Sequence, residues 1–247
     1  MNNESTIEKM NMMKLFGMVR SFQSTMGAEV KKEFTADELL AHLIESEWDY
    51  RQNSKLNRLI GYARFRYQAS MEEINFRLIR NLDKNKFLRY SDCNWIEKKQ
   101  NIIVTGPTGI GKSFIACALG HQACMYGLRV LYFNSTKLFA ALKLKKGDGT
   151  YAKELKRIQK QDLLIVDDFG LERFDHQSRM SFLEIMEDRH GVKSTLLTSQ
   201  LPVPKWHEII GDRTIADAIC DRIIHSAHRI DIKGDSVRKK YAEKIDK

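Results

Sequence analysis

A glycine-rich segment near the middle of the chain has the residue types and spacing of a phosphate-binding loop. It fits the pattern G-x-x-x-x-G-K-[ST] and consists of Gly106, Pro107, Thr108, Gly109, Ile110, Gly111, Lys112 and Ser113. The glycines permit a tight turn whose backbone N–H groups, with the N-terminus of the next helix, point at a triphosphate. Lys112 adds a positive charge for the β and γ phosphates, and the Ser113 hydroxyl is a ligand for Mg²⁺. The segment therefore predicts a site for ATP and Mg²⁺, and a glycine-rich turn without a ligand is the alternative.

Two consecutive acids form the second candidate group. Asp167 and Asp168 follow the apolar run 163–166, where a buried strand should end. This context predicts that Asp167 holds Mg²⁺, usually through water, and that Asp168 acts as general base for the attacking water. Two acids in this position favour hydrolysis of ATP over binding alone, and acids that merely cap a strand are the alternative.

Two more polar side chains are candidates for contacts with the γ phosphate. Gln200 follows a predicted strand, where an amide could bond the phosphate or the attacking water. Arg222 lies among apolar positions of a predicted helix, and an arginine presented to a neighbouring subunit's triphosphate would stabilise transition-state charge. The spacing equally allows ordinary loop chemistry at Gln200 and an ion pair of Arg222 with Asp217 or Asp221.

The overall composition is that of a globular protein with a basic surplus. The 247 residues include 41 Lys and Arg against 32 Asp and Glu, which gives a net charge of +9. In an ATP-binding protein this surplus points to nucleic acid, because phosphate neutralisation is the main sequence-independent source of DNA affinity. No run reaches the roughly 18 apolar residues of a membrane span, and the polar start has no signal region. We therefore expect no membrane association and a cytoplasmic location.

The four cysteines form neither a C-x-x-C pair nor a cluster with histidine. They are Cys93, Cys117, Cys124 and Cys220. We expect reduced thiols in the core rather than disulfides or metal ligands.

Glycine and proline divide the chain into a helical part and a part of alternating strands and helices. All three prolines lie beyond residue 106. In the helical part, residues 35–38 form a capping box that predicts a helix start, and another helix is expected over 47–66. From residue 100 onward, strand-length apolar runs alternate with helical segments; the runs are 101–105, 129–134, 162–167, 194–199 and 228–232. This alternation predicts an α/β fold with a parallel sheet, helices on both faces and a ligand at the carboxyl ends of the strands.

Taken together, these residues resemble the IstB family, the AAA+ ATPase helpers of insertion-sequence transposition, which are related to DnaC-type helicase loaders. The resemblance covers nearly the whole chain. Besides the phosphate-binding loop it comprises segments 47–53, 69–76, 162–170, 198–202 with Trp206, 221–228 and 233–238. The loop and the acids occur in many ATPases, whereas the helical and C-terminal segments are specific to this family.

The resemblance implies a P-loop NTPase fold of the AAA+ class, a parallel sheet flanked by helices, with a small all-helical N-terminal domain. The implied domains are residues 1–95, helical, and residues 96–247, the AAA+ ATPase domain. Lys112 and Ser113 then bind phosphates and Mg²⁺, and Asp167 and Asp168 form the Walker B pair. Asp168 stands where most AAA+ proteins have Glu, so the base is one methylene shorter and slow hydrolysis is expected.

The resemblance also implies roles for three residues outside the loop and the acids. Gln200 stands at the sensor position, where many relatives have Asn, and Ser199 is a rival for that role. Arg222 matches the arginine finger of the family's Asp-Arg motif. Arg238 matches a second arginine that binds the nucleotide as a sensor.

The function implied by the resemblance is that of an ATP-hydrolysing helper protein for DNA transposition. Such a protein assembles with ATP into a homo-oligomer, a ring or a spiral, on double-stranded DNA, and recruits or activates a cognate transposase. A DnaC-like loader of a replicative helicase, which would favour single-stranded DNA, is one alternative. A small-molecule P-loop kinase is another, but it needs an acceptor pocket and a mobile arginine-rich lid, whereas this chain offers a helical N-terminal part and Arg222.

Two segments carry dense positive charge. In residues 137–160 the glycines at 147 and 149 predict a loop, and eight basic residues there face only Asp148 and Glu154; they are Lys137, Lys143, Lys145, Lys146, Lys153, Lys156, Arg157 and Lys160. We expect this segment to contact DNA, with a solvated helical face as the alternative. Residues 51–90 are also basic, but their arginines alternate with apolar residues as on the exterior of an amphipathic helix.

Overall fold

The protein forms two compact units, residues 1–58 and residues 59–247. The computed structural model describes residues 3–27, 34–76, 82–234 and 236. The division into domains at residue 95 stays a prediction.

The first unit is helical. It contains α1 (Asn3–Met12), α2 (Phe16–Gly27) and most of α3 (Ala36–Ala63), which runs on into the second unit. The capping box is confirmed, since the Thr35 N–H donates to Glu38 Oε2 at 2.9 Å and the Glu38 N–H donates to Thr35 Oγ1 at 3.3 Å. The helix expected over 47–66 is part of the same α3, because no glycine or proline interrupts residues 36–60.

The second unit alternates strands and helices after two short helices. Its helices are α4 (Lys84–Leu88), α5 (Asn94–Glu97), α6 (Lys112–Met125), α7 (Ser135–Gly147), α8 (Tyr151–Gln159), α9 (His176–Arg189), α10 (Trp206–Ile210) and α11 (Arg213–Ile224), with a 3₁₀ helix at Val203–Lys205. Its strands are β1 (Asn101–Thr105), β2 (Val130–Asn134), β3 (Leu163–Phe169), β4 (Ser194–Ser199) and β5 (Ala227–Asp231). Within the described ranges, no helix is both long and apolar enough to cross a membrane.

The strands form one parallel sheet with the order β2-β3-β4-β1-β5. Every residue of β1 and β4 is buried, as expected for strands covered by helices on both faces. Each observed strand overlaps its predicted segment, so the predicted α/β architecture is confirmed. Because the strands are parallel, the segments that follow β1, β3 and β4 come together at one edge of the sheet.

The basic segment 137–160 is mainly helical rather than a loop. Helix α7 continues to Gly147, and α8 begins at Tyr151, so only three residues connect them. The glycines at 147 and 149 therefore end one helix and form a short turn, with Gly149 at a φ of 76°.

The cysteines are core thiols, as predicted. All four are free and buried. Burial raises the pKa of Cys117 to about 11 and that of Cys124 to about 12, so both carry their protons at neutral pH. Among the described residues, no group of three His, Cys, Asp or Glu side chains is arranged to hold a metal ion.

Candidate nucleotide-binding site

The glycine-rich loop connects the end of β1 to the start of α6, and its shape requires its glycines. Gly106, Gly109 and Gly111 have φ angles of 151°, 81° and 102°, which residues with a Cβ rarely adopt. A Cβ at Gly106 would also collide with the carbonyl oxygen of Ile232, and one at Gly109 would collide with Ser236 Oγ. The sequence pattern thus folds into a loop that only glycine allows at these positions.

The N-terminus of α6 opens onto this loop. Gly111 is its N-cap residue and no side chain caps it, so the first N–H groups of the helix are available to an anion. Lys112 is only 5% exposed, and its Nζ donates to the carbonyl oxygen of Pro107 at 3.0 Å. A buried ammonium group beside uncapped N–H groups suits a phosphate, and this donor set fits the predicted nucleotide.

Ser113 and Asp167 are in direct contact. The Ser113 hydroxyl donates to Asp167 Oδ1 at 3.0 Å, although the two residues belong to α6 and β3. The Asp167 carboxylate is fully buried and also accepts hydrogen bonds from Thr198 Oγ1 and from the Tyr132 hydroxyl, the latter at 2.5 Å. A hydroxyl and a carboxylate oxygen are ligands that Mg²⁺ prefers, so the pair fits the predicted metal.

Asp168 has an unusual backbone conformation. Its φ is 58°, and the pairing of β3 with β4 shifts in register between Val166 and Phe169. Consecutive residues of a regular strand point to opposite faces, but a bulge redirects a side chain. Here the carboxylates of Asp167 and Asp168 both reach the guanidinium of Arg66, whose Nη1 lies 3.7 Å and 3.4 Å from their Oδ2 atoms.

The environment of the Asp168 carboxylate makes it a stronger base than an ordinary aspartate. Partial burial and the neighbouring charge of Asp167 raise its pKa, and these effects outweigh the opposite influence of Arg66 and Lys112. Asn134, the last residue of β2, donates from Nδ2 to Asp168 Oδ2 at 3.1 Å. The Asp168 side chain is therefore held in place while 18% of it stays exposed.

Gln200 reaches the loop, whereas Ser199 does not. The Thr108 hydroxyl donates to Gln200 Oε1 at 2.6 Å. Ser199 is fully buried, and its hydroxyl donates to the carbonyl oxygen of Phe169 at 2.7 Å. Of the two candidates for the sensor role, Gln200 is the one whose side chain lies beside the glycine-rich loop.

Arg222 lies away from the glycine-rich loop. Its carbonyl oxygen accepts a hydrogen bond from Asn101, the first residue of β1, whereas the loop follows the last residue of that strand. A strand of this length spans about 15 Å. The alternative, an ion pair of Arg222 with Asp217 or Asp221, is wrong, because the Arg222 guanidinium pairs with Glu187 Oε1 at 2.8 Å.

Two acids on α11 have partners other than Arg222. Asp217 pairs with His207 at 2.9 Å, and Asp221 pairs with His225 at 3.0 Å. Arg238, the remaining predicted nucleotide contact, lies outside the described residues.

Four side chains of the site were not foreseen from the sequence. They are Arg66, Tyr132, Asn134 and Thr198. Asn134 and Thr198 lie at the carboxyl ends of predicted strands, where the rule that selected Gln200 could have found them. Tyr132 and Arg66 carry no such signal, since one lies inside a strand and the other belongs to a segment that is basic throughout.

Comparison with known proteins gives a consistent result along the whole chain. A family model described as IstB-like ATP binding protein matches residues 8–245. The chain is 44% identical over 239 residues to the insertion sequence ATP-binding protein y4pL of Sinorhizobium fredii, covering 97% of this chain and 98% of that protein. It is 36% identical over 216 residues to the ATP-binding protein of insertion sequence IS1162 from Pseudomonas fluorescens, covering 83% and 94%.

The fold is similar to those of several solved structures. The DnaC helicase loader superposes with a TM-score of 0.56 at 21% identity, covering 68% of this chain and 98% of that one. DnaI gives 0.57 at 23% identity, covering 68% and 90%. AMPPCP-bound DnaA from Aquifex aeolicus gives 0.56 at 17% identity, covering 74% and 57%. At these identities the likeness shows the fold alone, and it agrees with the predicted parallel sheet flanked by helices.

Proposed function

Since the chain belongs to the family of IstB-like ATP-binding proteins, we propose that it hydrolyses ATP with Mg²⁺ and assembles on duplex DNA as a helper of transposition. The observation that carries the proposal is the convergence of Lys112, Ser113, Asp167 and Asp168 beside the uncapped N-terminus of α6. These groups come from two separate elements, α6 and β3, yet they lie at the same edge of the sheet.

Binding of the triphosphate is the task of the loop and of Lys112. The N–H groups at the start of α6 donate to phosphate oxygens, and the ammonium group offsets the charge of the β and γ phosphates. Ser113 and Asp167 are the residues that would hold Mg²⁺. When bound, Mg²⁺ neutralises phosphate charge and orients the nucleotide. Hydrogen bonds from Thr198 and Tyr132 keep the Asp167 carboxylate in one orientation.

Hydrolysis requires a group that accepts a proton from water, and Asp168 is placed for this task. Its raised pKa increases its basicity, and Asn134 holds its orientation. The carboxylate is one methylene shorter than a glutamate, so we expect slow turnover. The Gln200 amide, which lies beside Thr108 of the loop, is placed to bond the γ phosphate or the attacking water.

Assembly into a homo-oligomer is part of the proposal because Arg222 cannot serve its own loop. The residue lies at the amino end of β1, and its guanidinium is only partly exposed and bonded to Glu187. An arginine finger acts on the triphosphate of a neighbouring subunit. We propose that assembly into a ring or a spiral moves the Arg222 guanidinium from Glu187 to the phosphates bound by the neighbouring subunit.

Contact with duplex DNA is assigned to the lysines of α7 and α8. Three basic residues of the segment already have partners: Lys143 pairs with Asp175 at 3.2 Å, Lys146 lies over the ring of Tyr151, and Arg157 pairs with Glu154. The other lysines of the segment with exposed side chains are Lys137, Lys153, Lys156 and Lys160. Together with Lys145, and with Lys146 over its aromatic partner, they supply positive charge for a phosphate backbone.

Recruitment of a transposase rests on the relatives, whose names associate them with insertion sequences. The second candidate function, delivery of a helicase, rests on the likeness of the fold to the DnaC helicase loader. The relatives are far more similar in sequence than the loader, which favours transposition. A cytoplasmic location stays a prediction.

Gel-shift assays with matched duplex and single-stranded DNA, each in ATP and in ADP, test these assignments. A transposition helper should prefer the duplex, should bind it more tightly in ATP, and should grow in size by light scattering under the same conditions. Lys112→Ala serves as the control that lacks nucleotide binding. Preference for the single strand would favour the helicase loader, and no DNA binding with either nucleotide would contradict both functions.

A further inference from the structure

Among the residues that the structure describes, Arg66 is the one member of the site that lies outside the sheet, its crossover helices and the loops that join them. It follows the end of α3 by three residues, and its Nη1 lies 3.4 Å from Asp168 Oδ2 and 3.7 Å from Asp167 Oδ2. No pattern in the sequence connects this arginine with those acids, which are about a hundred residues away.

The segment around Arg66 is packed against α6 by its two aromatic neighbours. A Cβ at Gly120 of α6 would lie 2.5 Å from Cε1 of Phe65, so only glycine lets the Phe65 ring approach this closely. The ring of Tyr67 lies 6.5 Å from that of Phe114, also on α6. Packing on both sides therefore fixes the backbone of Arg66, and its guanidinium lies 5.4 Å from the Tyr67 ring centre.

Two adjacent carboxylates repel each other, and a cation nearby offsets that repulsion. Asp167 is fully buried and Asp168 is mostly buried, so water screens their charges only partly. The other cation acting on Asp168 is Lys112, whose ammonium group is bonded to the carbonyl oxygen of Pro107. Arg66 is the cation that contacts both acids.

The same two acids are the ones that the proposed ATPase needs for Mg²⁺ and for the attacking water. Ser113 and Thr198 bond Oδ1 of Asp167, whereas Arg66 faces its Oδ2. A guanidinium within 4 Å of these oxygens repels a divalent cation that binds the same carboxylate. Arg66 and Mg²⁺ therefore compete for the negative charge of the same carboxylates.

We propose that Arg66 is a positioning residue that holds the Asp167 and Asp168 carboxylates together without Mg²⁺ and sets the Mg²⁺ concentration at which the site binds nucleotide. This inference rests on the proposed function. It assigns Arg66 no contact with the nucleotide, only an electrostatic effect through the two acids. Replacing Arg66 should have two effects of opposite sign: weaker nucleotide binding without Mg²⁺, because the acids then repel phosphates, and binding at lower Mg²⁺ concentration.

The test measures binding of a fluorescent ADP analogue, first in EDTA and then during a titration with Mg²⁺, so no turnover is involved. Arg66→Gln removes the charge, and we expect the Mg²⁺ midpoint to fall about three- to tenfold while affinity in EDTA falls by a similar factor. Arg66→Lys retains the charge and should stay within about twofold of the unchanged protein. Arg64→Gln is the matched control, since Arg64 is exposed and makes no ion pair among the described residues.

The outcomes separate this inference from the proposed function. If the unchanged protein fails to bind the analogue with Mg²⁺, the ATPase proposal itself is wrong. If it binds and Arg66→Gln has the same midpoint, the inference about Arg66 is overturned. Equal shifts in Arg66→Gln and Arg66→Lys would also overturn it, because charge would then not be the cause. Circular dichroism checks folding, and Arg66→Met replaces the glutamine variant if that variant does not fold.

Discussion

The Ser113 hydroxyl donates a hydrogen bond to Asp167 Oδ1 at 3.0 Å. Ser113 is the second residue of α6, and Asp167 lies near the end of β3. Their contact brings the two predicted Mg²⁺ ligands together. It also joins α6, which follows the loop, to the strand that carries Asp168, so the groups proposed for phosphate binding and for hydrolysis lie at one edge of the sheet.

Replacing Lys112 should abolish nucleotide binding. In Lys112→Ala the backbone N–H groups remain, but they alone cannot offset the charge of the β and γ phosphates. Titration with a fluorescent ATP analogue measures the effect, and Lys137→Ala, an exposed lysine of α7, is the control that should bind normally. Ordinary affinity in Lys112→Ala would count against the phosphate-binding role of the loop.

Replacing the proposed base should separate binding from hydrolysis. Asp168→Asn keeps the shape of the side chain, and asparagine tolerates the φ of 58° at this position. We expect ATP binding to persist, because Asp167 and Ser113 are unchanged, while hydrolysis falls by about 10²- to 10⁴-fold. The variant should then stay on DNA in ATP. Phosphate release at the unchanged rate would show that Asp168 is not the base.

Replacing two lysines of α7 should weaken DNA binding in a way that depends on salt. If Lys145 and Lys146 contact phosphates, the slope of log affinity against log salt should become shallower by roughly two units in the double alanine variant. The preference among duplex sequences should hardly change. An unaltered slope would move the DNA surface elsewhere, with the basic residues 51–90 as the next candidates.

Replacing Arg222 tests whether neighbouring subunits complete the site. Arg222→Ala should bind ATP as an isolated subunit but lose ATP-dependent assembly, with hydrolysis reduced about a thousandfold or more. Glu187→Gln removes only the partner of Arg222 within the subunit, so it should hydrolyse ATP normally. If the Arg222–Glu187 ion pair is purely structural, it should add only about 0.2–1 kcal/mol to the free energy of unfolding. Arg222→Ala and Glu187→Gln would then show the same ATPase activity and assembly.

Mixing variants checks the same role in another way. Arg222→Ala subunits combined with Lys112→Ala subunits should regain some ATPase activity, because each supplies the half of the site that the other lacks. Size measurements must show that the two variants assemble together. A co-assembled mixture without activity would remove the main reason for naming Arg222 a finger.

The N-cap of α9 should make stability depend on pH. Asp175 Oδ1 accepts a hydrogen bond from the Ser178 N–H at 2.8 Å, and hydrogen bonds from Ser178 together with Lys143 lower the Asp175 pKa to about 2. The stability it adds is thus present above its ordinary pKa near 4 and is lost as pH falls toward 2. Asp175→Ala should cost about 1 kcal/mol of unfolding free energy at pH 7.

Urea unfolding of the unchanged protein and of Asp175→Ala, from pH 7 to pH 3, measures how their stabilities depend on pH. The difference between Asp175→Ala and the unchanged protein should shrink below about pH 4. Asp175→Asn keeps an acceptor for the Ser178 N–H but has no charge to lose, so it should differ from Asp175→Ala by a constant amount. A loss that is the same at every pH would contradict the assignment.

The sequence by itself determined the features that depend on consecutive residues. The glycine-rich loop could be identified because its conformation, its N–H donors and Lys112 all come from eight neighbouring positions. The strands could be found because burial on both faces selects apolar runs of strand length. The order in which loop, strand and helix follow one another then placed Asp167 and Gln200 at the same edge of a parallel sheet, and local motifs along the chain identified the family.

Only the tertiary structure decided which distant side chains meet. Arg66 contacts Asp167 and Asp168 because Phe65 and Tyr67 pack on α6, and no short pattern encodes such a contact. The bulge that gives Asp168 its positive φ arises from the pairing of β3 with β4, so it cannot be read from β3 alone. Arg222 likewise pairs with Glu187 on α9 instead of with the acids of its own helix. Sequence periodicity reports which face of an element is buried, whereas partners across elements depend on packing that the whole fold determines.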